Sequence, residues 1–301
     1  MTPIRKLLIT GANGQLGREL QTILAAGRAP IGPIDPSWEA CEVVPTDVDE
    51  LDITDADAVM GFVRDGGFDA VVNCAAATNV DGCETNRELA QRLNADAAAN
   101  LAHAAEAAGA VLAHVSTDYV LAGDDPMPQA EDAPCAPSTA YGATKLAGEQ
   151  AVREACARHF IVRTAWLYGT EGKNFVRTMV GLGRTHDRIT VVCDQHGSPT
   201  FAGDLAYEIL ALLGTEAYGL YHCTGNGATT WDRFAARIMA NAGLDCEVAP
   251  VTTEEYAAAN PQSAPRPAWS ILDNKRLRDT IGDEMRSWDV ALDEFMRTVE
   301  L

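Results

Sequence analysis

The glycine spacing in Gly11-Ala12-Asn13-Gly14-Gln15-Leu16-Gly17 restricts this chain more than any other stretch. It follows an apolar run of strand length, Lys6-Leu7-Leu8-Ile9-Thr10, and leads into residues 18–26, whose apolar side chains recur with helical period. In a strand–turn–helix unit the first glycine (Gly11) permits the tight turn, and the second (Gly14) lets the backbone approach a pyrophosphate. The third (Gly17) lets helix and sheet pack closely. The helix start adds unpaired N–H groups and the positive end of a dipole. The unit predicts a dinucleotide bound against the first strand of a parallel α/β sheet.

The remaining pattern extends that sheet. Strands are expected at residues 41–45, 68–74, 111–115 and 159–163, alternating with helices at 56–64, 93–108 and around Tyr141. The fold class is therefore α/β, a doubly wound parallel Rossmann sheet with a smaller, interleaved C-terminal substrate domain. Residues 1–165, plus about 195–222, are expected to form the cofactor domain. Residues from about 166–194 and 223–301 are expected to form the substrate domain. Past the second strand stands Thr46-Asp47-Val48-Asp49-Glu50, with no basic residue. An acid here suits the ribose diol of NAD, so Asp47 is the expected ribose partner and NADH should serve at least as well as NADPH.

Tyr141 and Lys145 are four residues apart in a segment of small and apolar residues, so on a helix both leave the same face. Alone, such a pair is as compatible with a solvated face. Beside a nicotinamide fold it becomes a proton source. A tyrosine titrates near ~10 and a neighbouring cation lowers that. The strand at 111–115 ends in Ser116-Thr117-Asp118-Tyr119, placing hydroxyls where parallel-sheet enzymes bind ligands. In a ketone reduction Tyr141 would donate the proton, Thr117 would hydrogen-bond the carbonyl oxygen, and Lys145 would lower the Tyr141 pKa and tether the nicotinamide ribose.

Composition narrows the partners. With 43 acidic and 23 basic residues the formal charge is −20, which argues against nucleic acid. No apolar run is long enough to span a membrane. The start, Met1-Thr2-Pro3-Ile4-Arg5-Lys6, carries no signal-peptide pattern, and the eight cysteines show no Cys-x-x-Cys pair. A cytoplasmic protein with free thiols is expected.

Taken together, Gly11–Gly17 and Tyr141-x-x-x-Lys145 resemble the extended short-chain dehydrogenase/reductase class. Gly14-Gln15-Leu16-Gly17-Arg18-Glu19-Leu20, Ser116-Thr117-Asp118-Tyr119-Val120 and Arg163-Thr164-Ala165-Trp166-Leu167-Tyr168-Gly169 are similar to the branch that reduces 4-keto sugars carried on dTDP. So are Lys173-Asn174-Phe175-Val176 and Asp194-Gln195-His196-Gly197-Ser198-Pro199-Thr200. The resemblance implies reduction of dTDP-4-dehydro-β-L-rhamnose to dTDP-β-L-rhamnose, the last step of dTDP-L-rhamnose synthesis, with NADH or NADPH. It implies that Gly14, Gln15 and Leu16 touch the cofactor pyrophosphate, that Asp52 and Ile53 lie at the adenine, and that Ala76, Ala77 and Thr78 run along the cofactor. Thr117, Asp118 and Trp166 would meet the sugar, Asn174 and Phe175 the thymidine diphosphate, with Arg163 or Arg266 supplying positive charge. Some members bind Mg²⁺ between two subunits through glutamates. Glu19 matches one such position but Gly203 replaces another, so no metal site is assigned, Glu19 is read as an exposed helix residue, and a monomer or homodimer is expected. Two other readings stay open: a different nucleotide-sugar reductase or epimerase, and a non-catalytic regulatory subunit of the methionine adenosyltransferase type.

Overall fold

A computed structural model describes residues 4–299; the outermost ends of the two expected domains, and the residues Met1 to Pro3 read for a leader, lie outside the described residues. The first part of the chain runs β1 (Lys6–Thr10), α1 (Gln15–Ala26), β2 (Glu42–Thr46), α2 (Ala56–Gly66), β3 (Ala70–Asn73), α3 (Val80–Thr85) and α4 (Arg87–Gln91). A single π turn (Arg92–Asp96) then leads into α5 (Ala97–Ala108), followed by β4 (Val111–Thr117), α6 (Ala140–Ala155) and β5 (His159–Thr164). Next come β6 (Leu167–Tyr168), α7 (Phe175–Gly183), β7 (Arg188–Val192), β8 (His196–Gly197), β9 (Thr200–Phe201), α8 (Ala202–Leu213) and β10 (Gly219–His222). The remainder is β11 (Thr229–Thr230), α9 (Trp231–Ala242), β12 (Glu247–Val251), α10 (Thr253–Ala259), β13 (Trp269–Ser270), α11 (Lys275–Thr280) and α12 (Trp288–Thr298).

Six strands form one parallel sheet in the order β10-β5-β4-β3-β1-β2. Its central strands are apolar and buried on both faces, as Ala70-Val71-Val72 of β3 shows, because helices cover both sides. On one face α1 and α8 bring Leu16, Leu20, Ile23, Leu205 and Ile209 against Leu7 and Ile9. On the other, Val59 and Val63 of α2, Leu101 of α5 and Val152 of α6 pack on Leu8, Val71 and Leu112. A further core lies beyond β5, where Val176 and Val180 of α7, Phe234 and Ile238 of α9 and Phe295 of α12 enclose Tyr168 and Phe201.

The chain leaves β1 for β2 on one side and returns to β3 on the other, so the topological switch falls between β1 and β3. Thr10, Thr46 and Asn73 are register partners at the carboxyl ends of these three strands. Ligands of open α/β sheets bind in the crevice at such a point. Local departures from the sequence expectation have physical causes. The helix expected at 93–108 begins as α4, passes through the π turn and continues as α5. Residues 36–40, ahead of β2, form a 3₁₀ turn that buries Trp38, with Asp35 capping through the Ser37 N–H.

Among the described residues no helix is long and apolar enough to cross a membrane, and no group of three or more His, Cys, Asp or Glu side chains is placed to hold a metal ion. All eight cysteines are free.

Candidate active site

A cleft of about 690 Å³ opens over the carboxyl ends of β1, β3 and β4. Its floor is the glycine turn. Gly11 has φ +65°, and a Cβ there would sit 2.6 Å from the Ala75 nitrogen, so the β1 and β3 loops touch only because the residue is glycine. A Cβ on Gly17 would meet the Gly11 carbonyl oxygen at 2.5 Å. Gly14 caps α1 with no side-chain hydrogen bond, which leaves the first-turn N–H groups facing the cleft for an anion. The turn therefore fits a dinucleotide pyrophosphate.

Of the expected cofactor residues, Gly11, Gly14, Gln15, Leu16, Asp47, Asp52, Ile53, Ala76, Thr78, Tyr141 and Lys145 line this cleft. Gly17 and Ala77 are not among its lining residues. Gly17 serves close packing of α1 on the turn. Ala77 is held from behind, its N–H donating to Asn94 Oδ1 (2.8 Å) and its carbonyl accepting from Asn94 Nδ2 (3.1 Å).

Thr117, Asp118, Tyr141, Lys145 and Trp166 line the same cleft, drawn from β4, α6 and the turn after β5. Thr139 caps α6 by accepting the Gly142 N–H at 3.0 Å, and Glu84 of α3 accepts the Ala140 N–H at 2.6 Å. These contacts fix the first turn of the helix that carries Tyr141. Burial pushes the Tyr141 hydroxyl well above the usual phenol range; the Thr117 hydroxyl opposes this and Asp118 reinforces it. Its ring meets the Tyr119 ring edge-on at 5.3 Å. Thr117 donates to Asp118 Oδ1 at 2.9 Å, while Asp118 Oδ2 is buried with no partner. Desolvation raises Asp118 to about 6.

Lys145 is 2 % exposed, and its Nζ donates to the Val115 carbonyl at 2.7 Å, with His114 Nε2 at 3.5 Å. Desolvation lowers it to about 8, against the pull of Glu149. Besides burial, Thr117, Asp118 and Cys83 act on the Tyr141 phenol. The depressed lysine gives a pH prediction. Its positive charge is held below about pH 8 and lost above it, so kcat/KM should fall as pH rises through that value. Lys145→Met should show low activity without that alkaline limb; a wild-type profile flat to pH 10 would refute it.

Asn174 and Phe175, expected at the nucleotide, are not cleft-lining residues either. Asn174 is buried as the α7 cap, accepting the Arg177 N–H (3.0 Å) and donating to the Gly169 carbonyl (2.9 Å). Phe175 packs on Trp231 and Phe234. The adjacent Lys173 lines the cleft instead. Of the two arginines left open, Arg163 is spent on Glu149 inside the protein, whereas Arg266 pairs with Asp81 at 2.9 Å and keeps a buried, unpartnered Nη1. Trp166, at φ +49°, is the one non-glycine residue in the left-handed region among the described residues, and its ring stacks on Trp231 at 3.5 Å. A bulky side chain in this region is strained, a feature that gathers at functional sites. Glu19 is 6 % exposed rather than solvated, and its carboxylate accepts the Thr170 N–H at 2.9 Å, fastening the 169–173 loop to α1.

Asn94 escaped the sequence reading. Besides clasping Ala77 it donates to Thr144 Oγ1 at 3.0 Å, joining the β3 loop to α6 from inside the π turn. An amide in an alanine-dense helix was the available signal.

The sheet, the glycine turn at its switch point and the shared cleft define a Rossmann-type, nicotinamide-dependent oxidoreductase. The chain matches the RmlD substrate binding domain family over residues 5–301, and it belongs to that family, the dTDP-4-dehydrorhamnose reductases. The dTDP-4-dehydrorhamnose reductase of Streptomyces griseus is 42 % identical over 299 residues, covering 97 % of this chain and 93 % of that one. The crystal structure of the dTDP-4-dehydrorhamnose reductase from Clostridium acetobutylicum superposes with a TM-score of 0.90 at 45 % identity, covering 97 % of this chain and 98 % of that one. The enzyme of that name from Bacillus anthracis, solved in complex with NADP, also gives 0.90, at 41 % identity over 98 % of this chain and 99 % of that one.

Proposed function

We propose that this chain reduces dTDP-4-dehydro-β-L-rhamnose to dTDP-β-L-rhamnose, the last step of dTDP-L-rhamnose synthesis, in the cytoplasm. The observation that carries the reading is that Thr117, Tyr141 and Lys145 line one cleft with the glycine turn. The nicotinamide, when bound, supplies the hydride. The Tyr141 hydroxyl, kept protonated by burial, gives its proton to the ketone oxygen. The Thr117 hydroxyl turns from Asp118 to hydrogen-bond that oxygen as negative charge develops. The Lys145 ammonium, one helical turn away, offsets the charge left on the phenol and tethers the cofactor ribose. The unpartnered Asp118 Oδ2 is suited to accept a sugar hydroxyl, with Trp166 beside the ring.

Gly14, Gln15 and Leu16 hold the pyrophosphate, Asp47 the ribose, and Asp52 and Ile53 the adenine, with NADH used at least as well as NADPH. Residues through about 165 with 195–222 form the cofactor domain, and 166–194 with 223–301 the substrate domain, in a monomer or homodimer. The test is a steady-state assay with 4-keto sugars linked to dTDP, GDP and UDP, with each cofactor, with and without EDTA. A preference for the dTDP substrate is expected; equal rates on all three would refute the substrate assignment.

A further inference from the structure

Asp47, which lines the ribose end of the cleft, is already engaged. Its Oδ2 accepts the Asn13 N–H at 3.0 Å, its Oδ1 accepts the Val48 N–H at 2.9 Å, and its own N–H donates to Glu50 Oε2 at 2.9 Å. Asn13 belongs to the glycine turn, and its side-chain Oδ1 accepts from the Arg18 guanidinium at 2.6 Å. Asn13 and Arg18 are both exposed and are not among the residues that line the cleft. The stretch after β2 contains no basic residue, yet the fold brings a cation there from α1, one residue removed from the Asp47 carboxylate.

We propose that Arg18, aimed by Asn13, binds the 2′-phosphate of a phosphorylated dinucleotide, so that one ribose pocket accepts both cofactors. This rests on the cofactor reading above. For NADH the ribose diol donates to the Asp47 oxygens. For NADPH the phosphate dianion would meet Asp47 and Glu50 as like charges, and the guanidinium supplies the compensating charge. Its planar pair of N–H donors matches two phosphate oxygens, and its bond to neutral Asn13 rather than to a carboxylate leaves that charge unspent. Gly14 and Gln15 of the same turn hold the pyrophosphate, so Arg18 lies on the element that already meets the cofactor. The other cation at this end, Arg92, serves the neighbouring position: it donates to Thr54 Oγ1 at 3.3 Å. It acts weakly on Asp52, whose carboxyl is lowered first by the Thr54 side chain and backbone.

The test titrates 2′,5′-ADP and 5′-AMP, which differ only in the 2′-phosphate, into the full chain and its Arg18→Ala, Arg18→Lys and Arg92→Ala variants by calorimetry. Arg18→Ala should weaken 2′,5′-ADP by about 10–100-fold relative to 5′-AMP, the range of one charge-assisted contact. Arg18→Lys should recover part of that loss. Arg92→Ala, which keeps Arg18, should change the preference between the two nucleotides far less than Arg18→Ala does. The ratio of kcat/KM for NADPH over NADH should fall with the 2′,5′-ADP affinity in Arg18→Ala. An unchanged preference between the two nucleotides in Arg18→Ala would overturn the assignment. Failure of the unaltered chain to bind either nucleotide would instead overturn the cofactor reading, and this assignment with it.

Discussion

Tyr141→Phe is expected to lower kcat by about 10²–10⁴-fold, the usual contribution of a positioned general acid, while leaving NADH affinity within about threefold. The substitution removes one oxygen and keeps the ring, so the edge-on contact with Tyr119 and the burial of the helix face persist. The loss is therefore confined to the proton. Because burial raises the Tyr141 hydroxyl, no ionised phenol accumulates near neutral pH, and the group enters each turnover as a donor. Single-turnover reduction measured beside cofactor fluorescence titration separates the two effects. A variant with kcat within tenfold of the parent would remove Tyr141 as the proton source.

Arg163→Met should destabilise the protein by about 3–5 kcal/mol, because it removes the buried partner of a buried carboxylate and leaves it only the half-exposed Arg153 at 3.2 Å as counter-charge. Glu149 and Arg163 are 0 % and 1 % exposed, and two hydrogen bonds of 2.8 Å join them. Burial opposes the Arg163 charge, and the Glu149 carboxylate more than offsets it, so the guanidinium is held above its ordinary range. Ser116 donates to the same carboxylate at 2.6 Å. One carboxylate thus ties α6, which carries Tyr141 and Lys145, to β5 and to the residue before Thr117. Urea unfolding should show the loss, and activity should fall with it. The double variant Glu149→Leu with Arg163→Met should recover much of the stability, since replacing both partners with apolar groups leaves no buried charge unpaired; Arg153, which also pairs with Glu149, reaches solvent. A single variant as stable as the parent would show that the pair contributes little.

What the sequence disclosed tracks how local each determinant is. Gly11, Gly14 and Gly17 are legible because strand, turn and helix are contiguous, and Tyr141 and Lys145 because a helix fixes their spacing. Thr117 was found from the end of an apolar strand. Residues whose role depends on distant partners were not legible in the same way. Glu19 looked solvated because nothing near it in sequence shows that Thr170 closes over it. Asn174 looked like a ligand, but both ends of its amide cap α7 and hold Gly169. Asp81 drew no notice, although it accepts from both the Ala264 N–H and Arg266, 183 and 185 residues further along the chain. Asn94 acts from a π turn, a local extra residue that the periodicity of the flanking helices hides.

The position of β10 has a consequence for how the chain is made. β10 pairs with β5 and completes the sheet, yet it is synthesised after α7, β7 and α8. Between the emergence of Thr164 and that of Gly219, translation at typical speeds leaves on the order of 3–10 s in which β5 has one bare edge. That edge, His159-Phe160-Ile161-Val162-Arg163-Thr164, is apolar at its centre and able to pair with another nascent chain. Arg163 stands inside it, and its charge acts against such pairing until Glu149 and β10 enclose it. The residue that locks the finished helix to the sheet also guards the unfinished one.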